Sequence, residues 1–316
     1  MKEQFNYDTF VEKIEDNEYK ATKYRESFIP NTVYKYQPIG KGRMRSKRLT
    51  TIKKEQVWAS QVKYLNDPFE FKMLYADQGK GEIKEFYEDV LERNEVICLS
   101  GTWNSKLMWS HYSDSHSGIC LEYAFDGFGK GQVFPVTYVS KRQSFEEDLL
   151  KWIENKDDAV KRMCNGQALT GKQMELMHGC GKIMYTKDAV WKYEKEYRIV
   201  TRNRLDIEED KFDAYKEEKG SLHSTSEFGM KLSKVNLGLN CTEENRDMVI
   251  DVVRKVNDKR VKDALGRKFK DKKRMYNVLY DMGDIVTIWE IYADKNLKLK
   301  RRKLEIELIS KNDSLL

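Results

Sequence analysis

Paired cysteines, long apolar runs and an apolar leader are all missing from this chain, and each absence removes a class of protein. Its five cysteines, at 98, 120, 164, 180 and 241, are odd in number and show no C-x-x-C spacing. Neither a disulfide framework nor a structural zinc site is expected. No apolar stretch approaches the roughly 20 residues that cross a bilayer. The opening MKEQFNYDTF lacks the apolar core of a secretion signal, so a reducing, cytoplasmic setting without a membrane partner is expected. The glycines near residue 40 match neither a P-loop nor a dinucleotide fingerprint, which argues against a glycine-rich nucleotide cradle. No internal repeat or low-complexity linker is visible.

What is present is length and charge. The 316 residues are 40% hydrophobic, enough for a substantial core in one large domain, or in one domain with a helical annex. Lys and Arg number 58 against 52 Asp and Glu, a formal charge of +6. That modest basic excess permits a nucleic-acid partner without requiring one.

Periodicity supplies the elements. Tyr7, Phe10, Val11 and Ile14 share one helical face, and the helix is expected to end before Pro30. Asn31–Tyr36 reads as a strand, followed by a basic loop carrying Lys41, Arg43, Arg45, Lys47 and Arg48. A short helix over 51–58, a turn at Asn66-Asp67-Pro68 and a helix from Glu82 to Arg93 come next. Strands are expected at Val96–Ser100, Gly118–Ala124 and Phe134–Val139, a helical region over Ser144–Gly181, and a strand within Tyr185–Arg202. Leu205–Ser226, acidic then polar, reads as an insertion or mobile loop. Thr242 caps a helix with Met248, Val249, Val252, Val253 and Val256 on one face; residues 254–274 continue it or form a solvated basic arm. Ile285–Ala293 and Leu297–Ile309 read as a hairpin.

The most informative segment is Trp191–Arg198, WKYEKEYR. As a strand it places Trp191, Tyr193, Tyr197 and Ile199 on one face and Lys192, Glu194, Glu196 and Arg198 on the other. Glu194 and Glu196 then share a face with a guanidinium, a pattern suited to acid, base or cation-stabilising work, since each carboxylate raises the other's pKa while Arg198 opposes that shift. The plain alternative is a surface ladder of ion pairs. The aromatic face is expected to pack inside.

Rival constellations are weaker. Ser110, His111, Ser113, Asp114, Ser115 and His116 invite a Ser-His-Asp reading, but residues so close in sequence seldom converge as a triad needs. Cys164, His178 and Cys180 lack metal spacing. Asp67, Glu70 and Lys72 with Glu122 offer carboxylates for a metal-dependent nuclease. Asn66 with Asp67 also suits a plain turn.

Taken in order, Tyr34-Lys-Tyr36, Leu65-Asn-Asp-Pro-Phe-Glu70, Cys98-Leu-Ser100, Met108-Trp-Ser-His-Tyr112 with His116-Ser-Gly118, and WKYEKEYR resemble the bacterial domain-of-unknown-function family 2971, over about residues 31–240. More distantly, an early strand with a polar residue, a middle strand ending in Ser and a late strand bearing Glu is similar to the layout of ADP-ribosyltransferase-like domains, which cleave the nicotinamide bond of NAD. The chain has Lys35 or Tyr36 where that family usually has His or Arg. The resemblance implies Glu196 as the catalytic carboxylate and Glu194 as its assistant. It further implies Ser100 at the nicotinamide ribose, Trp109 or Tyr112 on the nicotinamide ring, and Arg198 or Lys35 at the pyrophosphate, with His111 and His116 as further site candidates.

The resulting expectation is an α+β fold with a central, mostly antiparallel or split sheet flanked by helices. An N-terminal helix (1–30) precedes a catalytic-like domain (31–240), and a C-terminal helix and hairpin (241–316) pack on the same domain. The expected activity is NAD-dependent mono-ADP-ribosyl transfer by a toxin or phage-defence effector, with RNA preferred over DNA as acceptor, no resident metal and an antitoxin protein as a further partner. Arg43, Arg45, Lys47 and Arg48 are the expected nucleic-acid contacts. A metal-dependent nuclease and a non-catalytic module that binds nucleic acid or protein are the alternatives. For the catalytic reading, Glu194, Glu196 and Ser100 must line one cleft.

Overall fold

The computed structural model describes residues 4–76, 81–202, 219–265 and 271–310. The protein is α+β, with a large, mostly antiparallel open sheet and flanking helices. It divides into two compact units, each built from separate stretches of chain. One comprises residues 1–30, 58–98 and 130–221; the other comprises 31–57, 99–129 and 222–316.

The first unit is largely helical. Asn6 caps the helix Tyr7–Asp16, its side chain accepting from the Thr9 amide, and Tyr7, Phe10 and Ile14 turn inward. The expected single N-terminal helix is two, because Asn17 is extended, ends the first and caps Glu18–Ser27 through the Lys20 amide. Tyr7, Phe10 and Ile14 pack with Ala21 and Phe134. The helices Gly81–Arg93, Glu146–Cys164 and Gly171–Gly181 follow, the last opened by a capping box between Thr170 and Gln173. Their apolar faces join Phe71, Leu74 and Val96 in a second cluster containing Ile83, Leu149 and Ile183. In place of one strand over Phe134–Val139 there are two short ones: Phe134–Pro135 pairs with Glu196–Arg202, and Thr137–Val139 runs parallel to Thr186–Asp188.

The second unit carries the regular sheet. Thr32–Gln37 pairs antiparallel with Ile119–Phe125, which pairs antiparallel with Met230–Leu237. Met230–Leu237 runs parallel to Thr287–Ala293, and this strand closes the expected hairpin with Leu299–Lys303. Val33, Leu121, Val235 and Ile288 share one buried face. The helix Glu243–Leu265 extends well past Val256, with Val261 and Leu265 buried, so the first part of the basic stretch is a packed helix; residues 266–270 lie outside the described residues. Of the expected insertion, 205–218 also lie outside them, and Gly220–Ser224 is a strand.

The basic loop expected over 41–48 is instead the helix Gly42–Lys53, which also absorbs the start of the helix expected over 51–58; Gln56–Gln61 is a strand. Gly40 and Gly42 have φ of +79° and +52°, so these glycines turn the chain into the helix. Arg, Met, Lys and Leu propagate it despite the weak apolar pattern.

Asn257 ties this unit together. Fully buried, it donates to the Val286 and Leu308 carbonyls at 3.0 Å each and accepts from the Val286 amide at 2.9 Å. Asn257→Leu strands these three buried groups, and a loss of about 3 kcal/mol is expected in urea unfolding. A loss below about 1 kcal/mol would show that the groups find other partners.

Candidate functional site

Two groups of polar side chains stand out, one in each unit. The first unites two motifs that are far apart in sequence. Arg198 is fully buried. Its Nε donates to Glu196 Oε1 at 2.7 Å, its Nη2 to Glu70 Oε1 at 2.6 Å, and its Nη1 to the Met184 carbonyl at 2.7 Å. Lys187 Nζ lies 2.7 Å from Glu194 Oε2, 3.0 Å from Glu196 Oε2 and 3.3 Å from Glu70 Oε2. Three carboxylates meet two cations, leaving the cluster one charge negative.

Local backbone explains the convergence. WKYEKEYR is not a continuous strand: Ala189–Glu194 is a 3₁₀ turn, Lys195 is left-handed at φ 47°, and the strand begins at Glu196. The bend aims Glu194 at Lys187, and strand alternation puts Glu196 and Arg198 on one side. The expected burial holds only in part: Ile199 of the aromatic face is buried and Lys192 of the charged face is exposed. Glu194, Glu196 and Arg198 are buried, whereas Trp191, Tyr193 and Tyr197 are only half-buried. Charge can go inside because every charge has a partner. Glu70 arrives from the NDPFE turn, where Asp67 accepts from the Phe69 amide at 2.9 Å and Phe71 takes φ 61°. Aromatic rings surround the ions: Lys187 lies 5.3 Å over Trp191, Arg198 lies 5.2 Å over Phe71, and the Tyr138 hydroxyl accepts from the Glu196 amide at 2.8 Å.

Burial pushes the Glu196 carboxyl up, but the adjacent Arg198 and Lys187 charges outweigh it and hold the group at about 2, below its ordinary 4.5. Burial alone would lower Lys187; Glu196, Glu70 and Glu194 reverse that and raise it. Tyr138 is raised, first by burial and then by Glu196. Because the folded-state carboxyl lies below its unfolded value, its contribution to stability is complete above about pH 4.5 and is lost as pH falls toward 2. Glu196→Gln is expected to remove that part of the acid-unfolding slope. An unchanged slope in urea titrations across this window would show that Glu196 is not held ionised by the cluster.

The second group lies on one face of the other unit's sheet. Ser100, Tyr34, Glu122 and Lys234 form a cross-strand row, and Tyr36, Cys120, Asn236 and Trp289 form the next. Lys35 faces the opposite side from Tyr36, in register with Leu121. Glu122 is bonded by Lys234 at 2.5 Å and by Arg301 at 2.6 Å. The segment beyond Ser100 is held from several sides: Tyr36 Oη donates to the Thr102 carbonyl at 2.8 Å, Ser100 Oγ to the same oxygen at 3.3 Å, and Trp109 Nε1 to the Trp103 carbonyl at 2.7 Å.

Other expected site residues take clear places. Trp109 is fully buried between Tyr36, edge-on at 5.2 Å, and His116, stacked at 6.4 Å, so it packs and offers no free ring face to a ligand. Tyr112 is half-buried and His111 exposed on the helix Lys106–Tyr112. The Ser-His-Asp segment is a tight turn: Asp114, Ser115 and His116 all have positive φ, Ser113 Oγ donates to the Trp109 carbonyl and Ser117 Oγ to the Asp114 carbonyl. Gly118 completes it, since a Cβ there would meet the Gln37 carbonyl at 2.4 Å. Arg198 spends Nε, Nη1 and Nη2 within the cluster rather than presenting them to a pyrophosphate. Among the nucleic-acid candidates, Arg43 and Lys47 are exposed, Arg48 is half-buried, and Arg45 is paired with Glu244 at 2.9 Å and Asn245 at 3.2 Å. Asn66 is exposed beside Asp67 in the turn. Among the described residues no group of three or more His, Cys, Asp or Glu is arranged to hold a metal ion, and no helix there is long and apolar enough to cross a membrane.

Lys187 and Tyr138 escaped the sequence reading. Lys187 lies seven residues before Glu194, a spacing that repeats on a helix but puts two residues on opposite faces of the strand expected here. Its one signal was a lysine just ahead of an acid-rich motif.

Residues 108–199 match the sequence model of a family described as a protein of unknown function, DUF2971. The match takes in the tight turn and WKYEKEYR, and stops short of NDPFE. No curated protein and no solved structure matches the chain.

Proposed function

We propose that the protein is an NAD-dependent mono-ADP-ribosyltransferase with Glu196 as the carboxylate that stabilises positive charge on the ribose. The observation that carries this reading is the pairing of Glu196 with Glu194 through Lys187, beside Arg198, in a cluster of net negative charge. A cation forming on the ribose as nicotinamide leaves is favoured by a fixed, ionised carboxylate in a site of low dielectric. Glu194 deprotonates or orients the acceptor, Lys187 and Arg198 act as positioning residues that keep Glu196 ionised, and Lys187 holds Glu194 in place. RNA is the preferred acceptor, contacted by Arg43 and Lys47, in a toxin or phage-defence role, with an antitoxin protein as a further partner and the cytoplasm as the site of action.

The near-complete burial of the five side chains favours a second reading, in which the cluster is a structural lock between the NDPFE turn and the late strand. Incubating the protein with isotopically labelled NAD and cellular RNA, DNA and protein, with and without magnesium, separates the possibilities. Label on a macromolecule without magnesium is the result expected for the transferase. Nucleic-acid cleavage that needs magnesium but not NAD would show a nuclease. Neither activity in the folded protein would leave the structural lock.

A further inference from the structure

The second unit holds a guanidinium that its own fold leaves half used. Arg301 lies 4.7 Å over the Trp103 ring and 5.1 Å over the Trp289 ring. Its Nη1 donates to both Glu122 Oε2 at 2.6 Å and Asn236 Oδ1 at 3.1 Å. Among the described residues Nε and Nη2 make no hydrogen bond within the protein. The side chain is 18% exposed and Lys234, on the other oxygen of Glu122, is 30% exposed, whereas Glu122 is 2% exposed. Two cations on one buried carboxylate leave a net positive charge, and the guanidinium is fixed in plane by two rings and two acceptors. Little further entropy is lost when such a fork takes a phosphate through two parallel hydrogen bonds.

The flanking rings define the rest of the ligand. Trp103 and Trp289 are half-buried, so each keeps ring surface on which a base can stack. Both are braced: Trp289 Nε1 donates to Thr287 Oγ1 at 3.0 Å, and the Trp103 carbonyl is held by Trp109. We propose that Arg301, Lys234, Trp103 and Trp289 form a nucleotide-binding site in which the Nε–Nη2 edge of Arg301 takes a phosphate and an indole takes the attached base. This chemistry is shared by a free nucleotide and by one unit of a single-stranded nucleic acid. The site stands on its own geometry, whether or not NAD is cleaved.

The test is quenching of indole fluorescence in the full chain, confirmed by calorimetry, with 5′-AMP, adenosine, NAD and a ten-nucleotide oligo(A) RNA as probes. Phosphate-bearing probes are expected to bind about tenfold more tightly than adenosine, because the charged fork is left unpaired by the nucleoside. Arg301→Lys retains the ion pair with Glu122 but removes the fork, and Trp289→Leu removes a ring; each is expected to weaken 5′-AMP by about tenfold. Arg302→Gln, at the exposed neighbouring position, should leave binding unchanged. Equal affinity for 5′-AMP and the oligonucleotide identifies a free nucleotide as ligand, and tighter oligonucleotide binding that falls with salt identifies a strand. Absence of binding by every probe overturns the proposal. So does binding that Arg301→Lys and Trp289→Leu leave unchanged in proteins with native circular dichroism, or that Arg302→Gln weakens equally. Loss of NAD cleavage with this binding intact would count only against the transferase reading.

Discussion

Glu196→Gln is expected to reduce NAD turnover by about 10²–10³-fold, the size seen when one electrostatic contact to a transition state is removed, in a protein that still folds. The amide keeps the shape of the side chain and can still accept from Arg198, but it cannot offset positive charge on a ribose. Glu194→Gln should instead change partition. Transfer to an acceptor falls more than hydrolysis in water, because water competes without needing a base aimed at a particular hydroxyl. Steady-state nicotinamide release and label transfer, measured side by side, read out the two effects. Equal activity of the wild type and a folded Glu196→Gln protein would remove Glu196 from the chemistry.

The largest effect on stability is expected at Arg198. Arg198→Met leaves Glu70 and Glu196 buried with only Lys187 between them, and the loss of one partner from a buried ionic network costs about 3–5 kcal/mol. Arg198→Lys keeps the charge, but it cannot reach Glu196, Glu70 and the Met184 carbonyl in the geometry of the planar fork. It should fall between wild type and methionine. Adding Glu70→Gln to Arg198→Met should recover part of the loss, since one uncompensated charge goes with it. Urea unfolding followed by circular dichroism gives all three values. A loss under about 1 kcal/mol for Arg198→Met would mean that water screens the cluster as it screens surface pairs.

These expectations differ in how far they could be read from the chain. Short-range patterns carried well: Tyr7, Phe10 and Ile14 form the inward face of the first helix, and the hairpin after residue 285 lies where alternation put it. The errors came where a local pattern was answered by a distant contact. WKYEKEYR alternates as a strand should, yet the chain turns at Lys195, where Lys187 and Arg198 hold Glu194 and Glu196 inward. Glu70 and Arg198, 128 residues apart, belong to two motifs whose meeting no periodicity announces. The glycines before the basic helix looked like loop residues because sequence alone does not say whether a left-handed glycine continues a loop or starts a helix. Arg301, set in a run of lysines and arginines, looked like its neighbours until the fold brought its guanidinium over the Trp289 ring and against Glu122.

Charge development on the ribose is tested most directly with NAD carrying deuterium at the ribose carbon of the scissile bond, in the presence of EDTA. The folded wild-type chain is expected to release nicotinamide without a divalent metal, and to do so slightly more slowly from the deuterated substrate, as follows when that carbon becomes planar and cationic before the new bond forms. Glu196→Gln should release nicotinamide about 10²–10³-fold more slowly. A folded wild-type protein that releases no nicotinamide, or that releases it equally with Glu196 replaced, would contradict a catalytic role for the cluster and leave it as an ionic lock within the first unit.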